Sequence, residues 1–291
     1  MTRTRVAAAL VLTPIAIAAV LLLPTPWMAA AAAIVFLAGL WEWFKLAEID
    51  DTLARSVLLA ANLALMVAIV WGSRTPDGGL SFVLLKLATV VGVVWWLLAM
   101  LWLRAFNFAS DHDTHARVFK LAAGTLAVVP AWCALAWIHA EPSPGHHFPA
   151  IGHRWLFVAL AIVWAADSAA YFVGRHFGGR LFKNRKLAPR ISPNKTVEGL
   201  AGGVAGGVVV ALAFAPFADA PVAKLPAVAL AAFVAVLFSV VGDLFESLLK
   251  RHVGAKDSGD LIPGHGGVLD RIDGVLAALP VFALAKAWLG F

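Results

Sequence analysis

Asp243, Glu246, Asp270 and Asp273, with Lys250, Arg251, Lys256 and Arg271, flank a Gly264-His265-Gly266-Gly267 turn set between two hydrophobic runs. Helical spacing places Asp243, Glu246, Ser247 and Lys250 on one face, so two carboxylates and an ammonium converge where that run meets water. Asp270 and Asp273, three apart, share a face at the start of the next run. Hard oxygen donors of this kind suit Mg²⁺, which keeps several waters and takes one or two carboxylates plus substrate phosphates. A salt-bridge cluster explains a pair of these residues but poorly explains four acids and four bases around one glycine turn. The segment reads as a site for a metal-bound polyphosphate at a membrane surface.

A second group lies upstream. The basic loop Arg175–Lys195 ends in Ile191-Ser192-Pro193-Asn194-Lys195-Thr196-Val197-Glu198-Gly199. Ser192 followed by Pro193 predicts a helix start, with Ser192 as N-cap and Pro193 in the first helical position. The unpaired N–H groups of such a first turn, with Lys195 beside them, would receive a phosphate. The rest of the basic run is equally well read as a cytoplasmic retention signal. Gly199, Gly203 and Gly207, spaced four apart, predict a close-packing face for another helix and not a nucleotide loop. Asp167, with Tyr171 one turn on, falls inside an apolar run, where a carboxylate costs roughly 2.5–3.5 kcal/mol unless it meets protein, water or a cation. An interhelical hydrogen bond is the plainer reading of Asp167; a cavity or metal role is the one favoured by its position.

The elements that must carry these groups are membrane helices. Hydrophobic residues make up 62% of the 291 and charged residues 14%, which excludes an ordinary soluble domain. Nine apolar runs are long enough to span a bilayer as helices: Val6–Leu23, Trp27–Leu46, Leu53–Trp71, Phe82–Leu103, Val118–Ile138, Trp155–Phe177, Val197–Phe217, Leu225–Leu249 and Ile272–Leu289. The chain is therefore expected to be an all-α polytopic membrane protein of about nine transmembrane helices. With the N-terminus in the cytoplasm and the C-terminus outside, most cations fall on the cytoplasmic side, leaving only Arg74, Lys86, Arg154, Lys224 and Lys286 for the other. The net charge of +6 is first a topology signal and calls for no nucleic acid.

Arg3 and Arg5 before an apolar stretch resemble a secretory leader, but the following span favours a retained first helix. Cys133 is the single cysteine, so the sequence has no intrachain disulfide and no thiolate cluster. The chain forms one membrane domain that divides by character. Residues 1–150, about five spans without internal repeats, read as scaffold, and residues 151–291 carry nearly every group able to do chemistry. The His139–His153 segment falls on the outer side and reads as interfacial, and Asp111-His112-Asp113-Thr114-His115 as a solvated loop.

The long C-terminal pattern resembles the phosphatidate cytidylyltransferase (CDP-diacylglycerol synthase) family. The residues that carry the likeness are Ser247, Lys250, Arg251, Lys256, Asp257, Pro263, His265, Gly266, Gly267, Asp270, Arg271 and Asp273. Ser192–Gly199 resembles the family's second block, and Asp167 with Tyr171 a third. The likeness covers roughly the last 125 residues, while the earlier spans match only in being hydrophobic. Asn194 stands where many members carry a second lysine, which would weaken one phosphate contact.

The resemblance implies that CTP and phosphatidate give CDP-diacylglycerol and pyrophosphate at the cytoplasmic face of a bacterial-type inner membrane. It also implies a homodimer. Asp243 and Asp270 are then the leading metal ligands, with Asp167, Glu246 and Asp273 as further carboxylates around one or two divalent cations such as Mg²⁺, with room for a monovalent cation. Lys195, Lys250, Arg251, Lys256 and Arg271 would clamp phosphates, and Ser192, Asn194, Thr196, Glu198 and Ser247 would line the substrate. Gly266 and Gly267 permit close backbone approach, and His265 would donate to a phosphate or orient a carboxylate. A CTP-dependent lipid kinase, or a cytidylyltransferase for another lipid phosphate, is the nearest alternative. A secondary transporter is more distant, since its acids would be expected near the midplane of repeated halves.

Overall fold

The computed structural model describes residues 2–76, 79–143, 148–181, 185–261 and 266–291, with side chains at the N-terminus from residue 12 onward. Apolar composition without strand-like alternation yields helices: α1 Thr2–Leu22, α2 Thr25–Leu46, α3 Thr52–Gly72, α4 Val83–Arg104, α5 Thr114–His139, α6 Ile151–Phe177, α7 Val197–Phe214, α8 Leu225–His252 and α9 Leu269–Leu289. From α2 onward all eight are long and apolar enough to cross a membrane. In hydrocarbon a helix satisfies its own backbone hydrogen bonds, which is why this composition gives an all-α polytopic protein.

The predicted helix start at Ser192–Pro193 is not what forms. Ser192–Thr196 is an extended strand, β2, paired antiparallel with β1 (Lys186–Ala188) in the register Lys186 opposite Thr196 and Ala188 opposite Ser192. Helix α7 begins four residues later than the Ser-Pro pattern suggests. Its N-cap is Thr196, whose hydroxyl accepts the Gly199 N–H at 3.1 Å. Both Ser192 and Thr196 can cap a helix. The strand pairing and burial of Ile191 at 4% exposure decide in favour of the later one.

Between membrane helices apolar burial supplies little drive, so close packing and hydrogen bonds must hold the bundle. Helix α7 lies against α6 along its glycines. A Cβ added at Gly203 would stand 3.0 Å from the Ala166 carbonyl oxygen, and one at Gly199 3.1 Å from that of Ala170. The predicted close-packing face is thus turned to α6. Gly242 does the same for α8 and α9, since any Cβ there would run into the Asp273 carbonyl. One residue before Glu246, the fully buried Phe245 is enclosed by Trp43, Trp95, Trp96 and Trp102, at centroid distances of 5.9, 5.7, 6.0 and 5.2 Å. Aromatic pairs of this kind contribute roughly 0.5–1.5 kcal/mol each beyond area burial. They fix the rotation of α8 where its acids emerge.

Candidate active site

The close approach of α8 and α9 at Gly242 brings Asp243 and Glu246 against Asp273, and one carboxylate oxygen of each lies within 4.8 Å of the other two. At that separation two carboxylates repel by about 3 kcal/mol in an effective dielectric of ~20. Such a cluster persists with cations or protons to offset that repulsion. Lys195, which immediately precedes the α7 N-cap, places its ammonium on Asp243. Lys250 bridges two acids, at 2.6 Å from Glu246 Oε2 and 2.7 Å from Asp270 Oδ1. Asp273 Oδ1 accepts the N–H of Gly274 at 2.6 Å, and the Ser247 hydroxyl donates to Asp243 at 3.4 Å.

These three carboxylates fit a hard divalent cation. Glu246 is 2% exposed, and its Oε1 is buried with no hydrogen-bond partner among the described residues. A buried carboxylate oxygen without a donor is costly unless a cation meets it. All-oxygen donors are what Mg²⁺ prefers. Asp270 adjoins this triad at Glu246, with Lys250 held between the two carboxylates. Besides Lys250 it takes two backbone donors on Oδ2, the N–H of Ser258 at 3.0 Å and of Gly267 at 2.9 Å.

Beside the triad a cavity of about 680 Å³ runs between α6, β2, α7 and α8. Asp167, Ser192, Asn194, Lys195 and Asp243 give it a polar part, and Leu187, Leu200 and Val240 an apolar one. That is a common size for a small-molecule pocket, and the mixed lining suits a ligand with a charged head and a hydrocarbon body. Tyr171 also lines it, and its hydroxyl accepts from Arg175 at 2.8 Å.

The other predicted residues are spread around this centre. Arg251 donates to the Ile191 carbonyl at 3.1 Å, which ties α8 to the hairpin. Lys256 is exposed and lines a separate cleft of about 480 Å³ with Lys45, Glu48, Asp50 and Asp257. Arg271 is exposed in the first turn of α9. Glu198, 1% exposed, accepts the N–H groups of Gly179 and Leu181 at 3.1 and 3.2 Å and so secures the chain leaving α6. Gly266 has φ +84°, a backbone state that suits glycine, and Gly267 lies against Ser258. His265, with Pro263 and Lys183, lies outside the described residues.

Sequence reasoning passed over Glu42 in α2. It is 2% exposed, and its Oε2 accepts the Ser258 hydroxyl at 3.1 Å and the Leu269 N–H at 2.8 Å. The signal that singled out Asp167, an acid inside an apolar run, was present at Trp41-Glu42-Trp43 as well. The Asp111–His115 segment is partly built in: Asp113 caps α5, and His112 pairs with Glu48 at 2.5 Å.

A bundle of membrane-length helices with acids and lysines gathered at one end, beside a cavity part polar and part apolar, defines a polytopic membrane protein equipped to bind a phosphate-bearing amphiphile. The chain belongs to the cytidylyltransferase family, whose sequence profile matches residues 3–288. It is 37% identical to the phosphatidate cytidylyltransferase of Pseudomonas aeruginosa over 288 residues, 99% of this chain and 97% of that one. It is 34% identical to the phosphatidate cytidylyltransferase of Haemophilus influenzae, over 97% of this chain and 98% of that one. With the phosphatidate cytidylyltransferase of Bacillus subtilis it shares 46% identity over 129 residues, 44% of this chain.

Proposed function

We propose that this protein transfers the cytidylyl group of CTP to phosphatidate, releasing CDP-diacylglycerol and pyrophosphate. The observation that carries this reading is the match along nearly the whole chain to phosphatidate cytidylyltransferases. The juxtaposition of Asp243, Glu246 and Asp273 with Lys195 and Lys250 agrees with it.

Phosphatidate is a phosphomonoester with a second pKa of about 6, so at neutral pH its phosphate oxygen is already a nucleophile. That oxygen attacks the α-phosphorus of CTP, the bond from the α-phosphorus to the bridging oxygen breaks, and pyrophosphate leaves with the electron pair. The protein needs no general base for this. Its tasks are to align two polyanions, screen their repulsion and stabilise the leaving group. Lys195, in the lining of the cavity, grips the lipid phosphate, and the apolar wall of Leu187, Leu200 and Val240 receives the adjoining glycerol and acyl carbons. Lys250, aimed by Asp270, meets the nucleotide phosphates together with Arg251, Lys256 and Arg271. Asp243, Glu246 and Asp273 would hold the divalent cation, with Asp167 and Asp270 as neighbouring carboxylates. When bound, that ion neutralises charge on the phosphates undergoing transfer.

The excess of Lys and Arg in the loops at the site end supports a cytoplasmic site in a bacterial-type inner membrane, where CTP is available. The expected assembly is a homodimer, checked by the mass of the detergent-solubilised particle.

The purified protein should release pyrophosphate from CTP only when phosphatidate and a divalent cation are both present. Release without phosphatidate, or label from γ-phosphate appearing in lipid, would replace this reading with a hydrolase or a lipid kinase. For orientation, single thiols at Asp260 and Val222 in a Cys133→Ala background should differ when intact cells meet an impermeant reagent, with only position 222 modified. The opposite pattern would invert the topology.

A further inference from the structure

Helix α9 carries Asp270 and Asp273, yet its own N-cap residue, Val268, supplies no side-chain hydrogen bond to the first turn. The N–H groups of a helix's first turn need acceptors, and a carboxylate there also meets the positive end of the helix dipole. Glu42 supplies that acceptor from another helix by taking the N–H of Leu269 at 2.8 Å. The same oxygen takes the Ser258 hydroxyl, and Ser258 turns its N–H to Asp270 Oδ2. Asp270 in turn holds Lys250. The backbone is fitted around this carboxylate, for a Cβ at either Gly259 or Gly267 would collide with it.

We infer that Glu42 is a positioning residue for the reaction: through Ser258 and the first turn of α9 it sets where Asp270 presents Lys250. Removing a buried acceptor leaves its donors unsatisfied, and the loop should loosen locally while the apolar core of the bundle stays packed. Because the linkage leads to Lys250 and away from Lys195 and the cavity, it should affect turnover more than the lipid's KM.

The inference rests on the proposed activity only for its turnover readout, since amide exchange reports on it without substrate. In Glu42→Ala, exchange at Ser258, Gly267 and Leu269 should accelerate while that of α5 stays slow, and kcat should fall about tenfold or more with the phosphatidate KM within about twofold. Glu42→Gln keeps an acceptor oxygen in place and should recover most of the turnover. Ser258→Ala should give a smaller loss. The double variant Glu42→Ala with Ser258→Ala should be no slower than Glu42→Ala alone, because both cut one linkage. Unchanged exchange at the three amides, or losses that multiply in the double variant, would overturn the inference. Should Glu42→Ala fail to fold, Ser258→Ala and Glu42→Gln decide it by the same amides. Absence of cytidylyl transfer in the unaltered protein would remove the proposed function but leave the exchange result standing.

Discussion

The two ends of the helix bundle use charge in opposite ways. At the end formed by the α1–α2, α5–α6 and α7–α8 turns, polar groups are matched partner to partner. Lys286 meets Glu141 at 2.6 Å, Arg154 meets Asp219 at 2.8 Å, and Lys224 donates to the Leu289 carbonyl at 2.8 Å. The stacked rings of His139 and His153 bond the carbonyls of Val20 and Leu21 at the end of α1. Each contact closes a turn or a helix end. At the other end, Lys250 is shared by two acids, three carboxylates crowd together, and oxygens of Glu42 and Glu246 are buried with no hydrogen-bond partner among the described residues. Matched pairs hold a fold together. A crowd of acids with shared cations is the arrangement expected of the proposed binding site.

The contrast can be broken by substitution at each end. The largest effect should come from Asp243→Asn or Asp273→Asn, which remove a charge from the triad. Turnover should fall at least about a hundredfold, ~2.7 kcal/mol in the barrier, while melting temperature holds or rises because repulsion is relieved. Near-normal rates in both variants would show the cluster to be structural. Lys195→Ala comes next, with an expected loss of about tenfold in kcat/KM, ~1.4 kcal/mol, and partial rescue by Lys195→Arg, whose planar fork differs from a point-like ammonium. An equal loss in Arg185→Ala, in the same basic loop, would mean that bulk charge and not position matters.

At the matched end the order of effects should reverse. Lys286→Met leaves kcat/KM within about twofold but lowers thermal stability by about 1–2 kcal/mol, read as a drop in melting temperature in detergent. A large loss of activity there would erase the distinction between the ends.

The smallest effect concerns acid. Burial opposes ionisation of Glu48, but His112 and Lys120 outweigh it and hold this carboxyl below the ordinary glutamate value of 4.5. A folded-state pKa below the unfolded one gives stability that is complete above pH 4.5 and lost as pH falls through the lower folded value. Glu48→Gln should flatten the acid limb of the melting-temperature profile in that window and leave neutral-pH turnover unchanged.

Much of the site could be read locally because helices repeat every 3.6 residues. Asp243, Glu246 and Lys250 lie on one turn-to-turn face of α8, and nothing beyond spacing was needed to bring them together. Local pattern failed at Ser192-Pro193, read from sequence as a helix start. Pairing with Lys186–Ala188, a tertiary choice about the loop, drew Ser192 into a strand and gave the cap to Thr196.

Composition by itself determined that the chain is a bundle of membrane helices, because length and apolarity leave the backbone no other way to satisfy its hydrogen bonds in lipid. Motif spacing singled out the short segments proposed to carry the chemistry. Only tertiary structure decided how those segments face one another. Whether Asp270 or Asp273 joins the α8 acids depends on the rotation of α9 against Gly242, and spacing within either helix is silent on that rotation. The same holds for Glu42, whose donors Ser258 and Leu269 are 216 and 227 residues away in the chain. A hydrogen bond needs its atoms near 3 Å, and across such separations only the packing of whole helices brings them there.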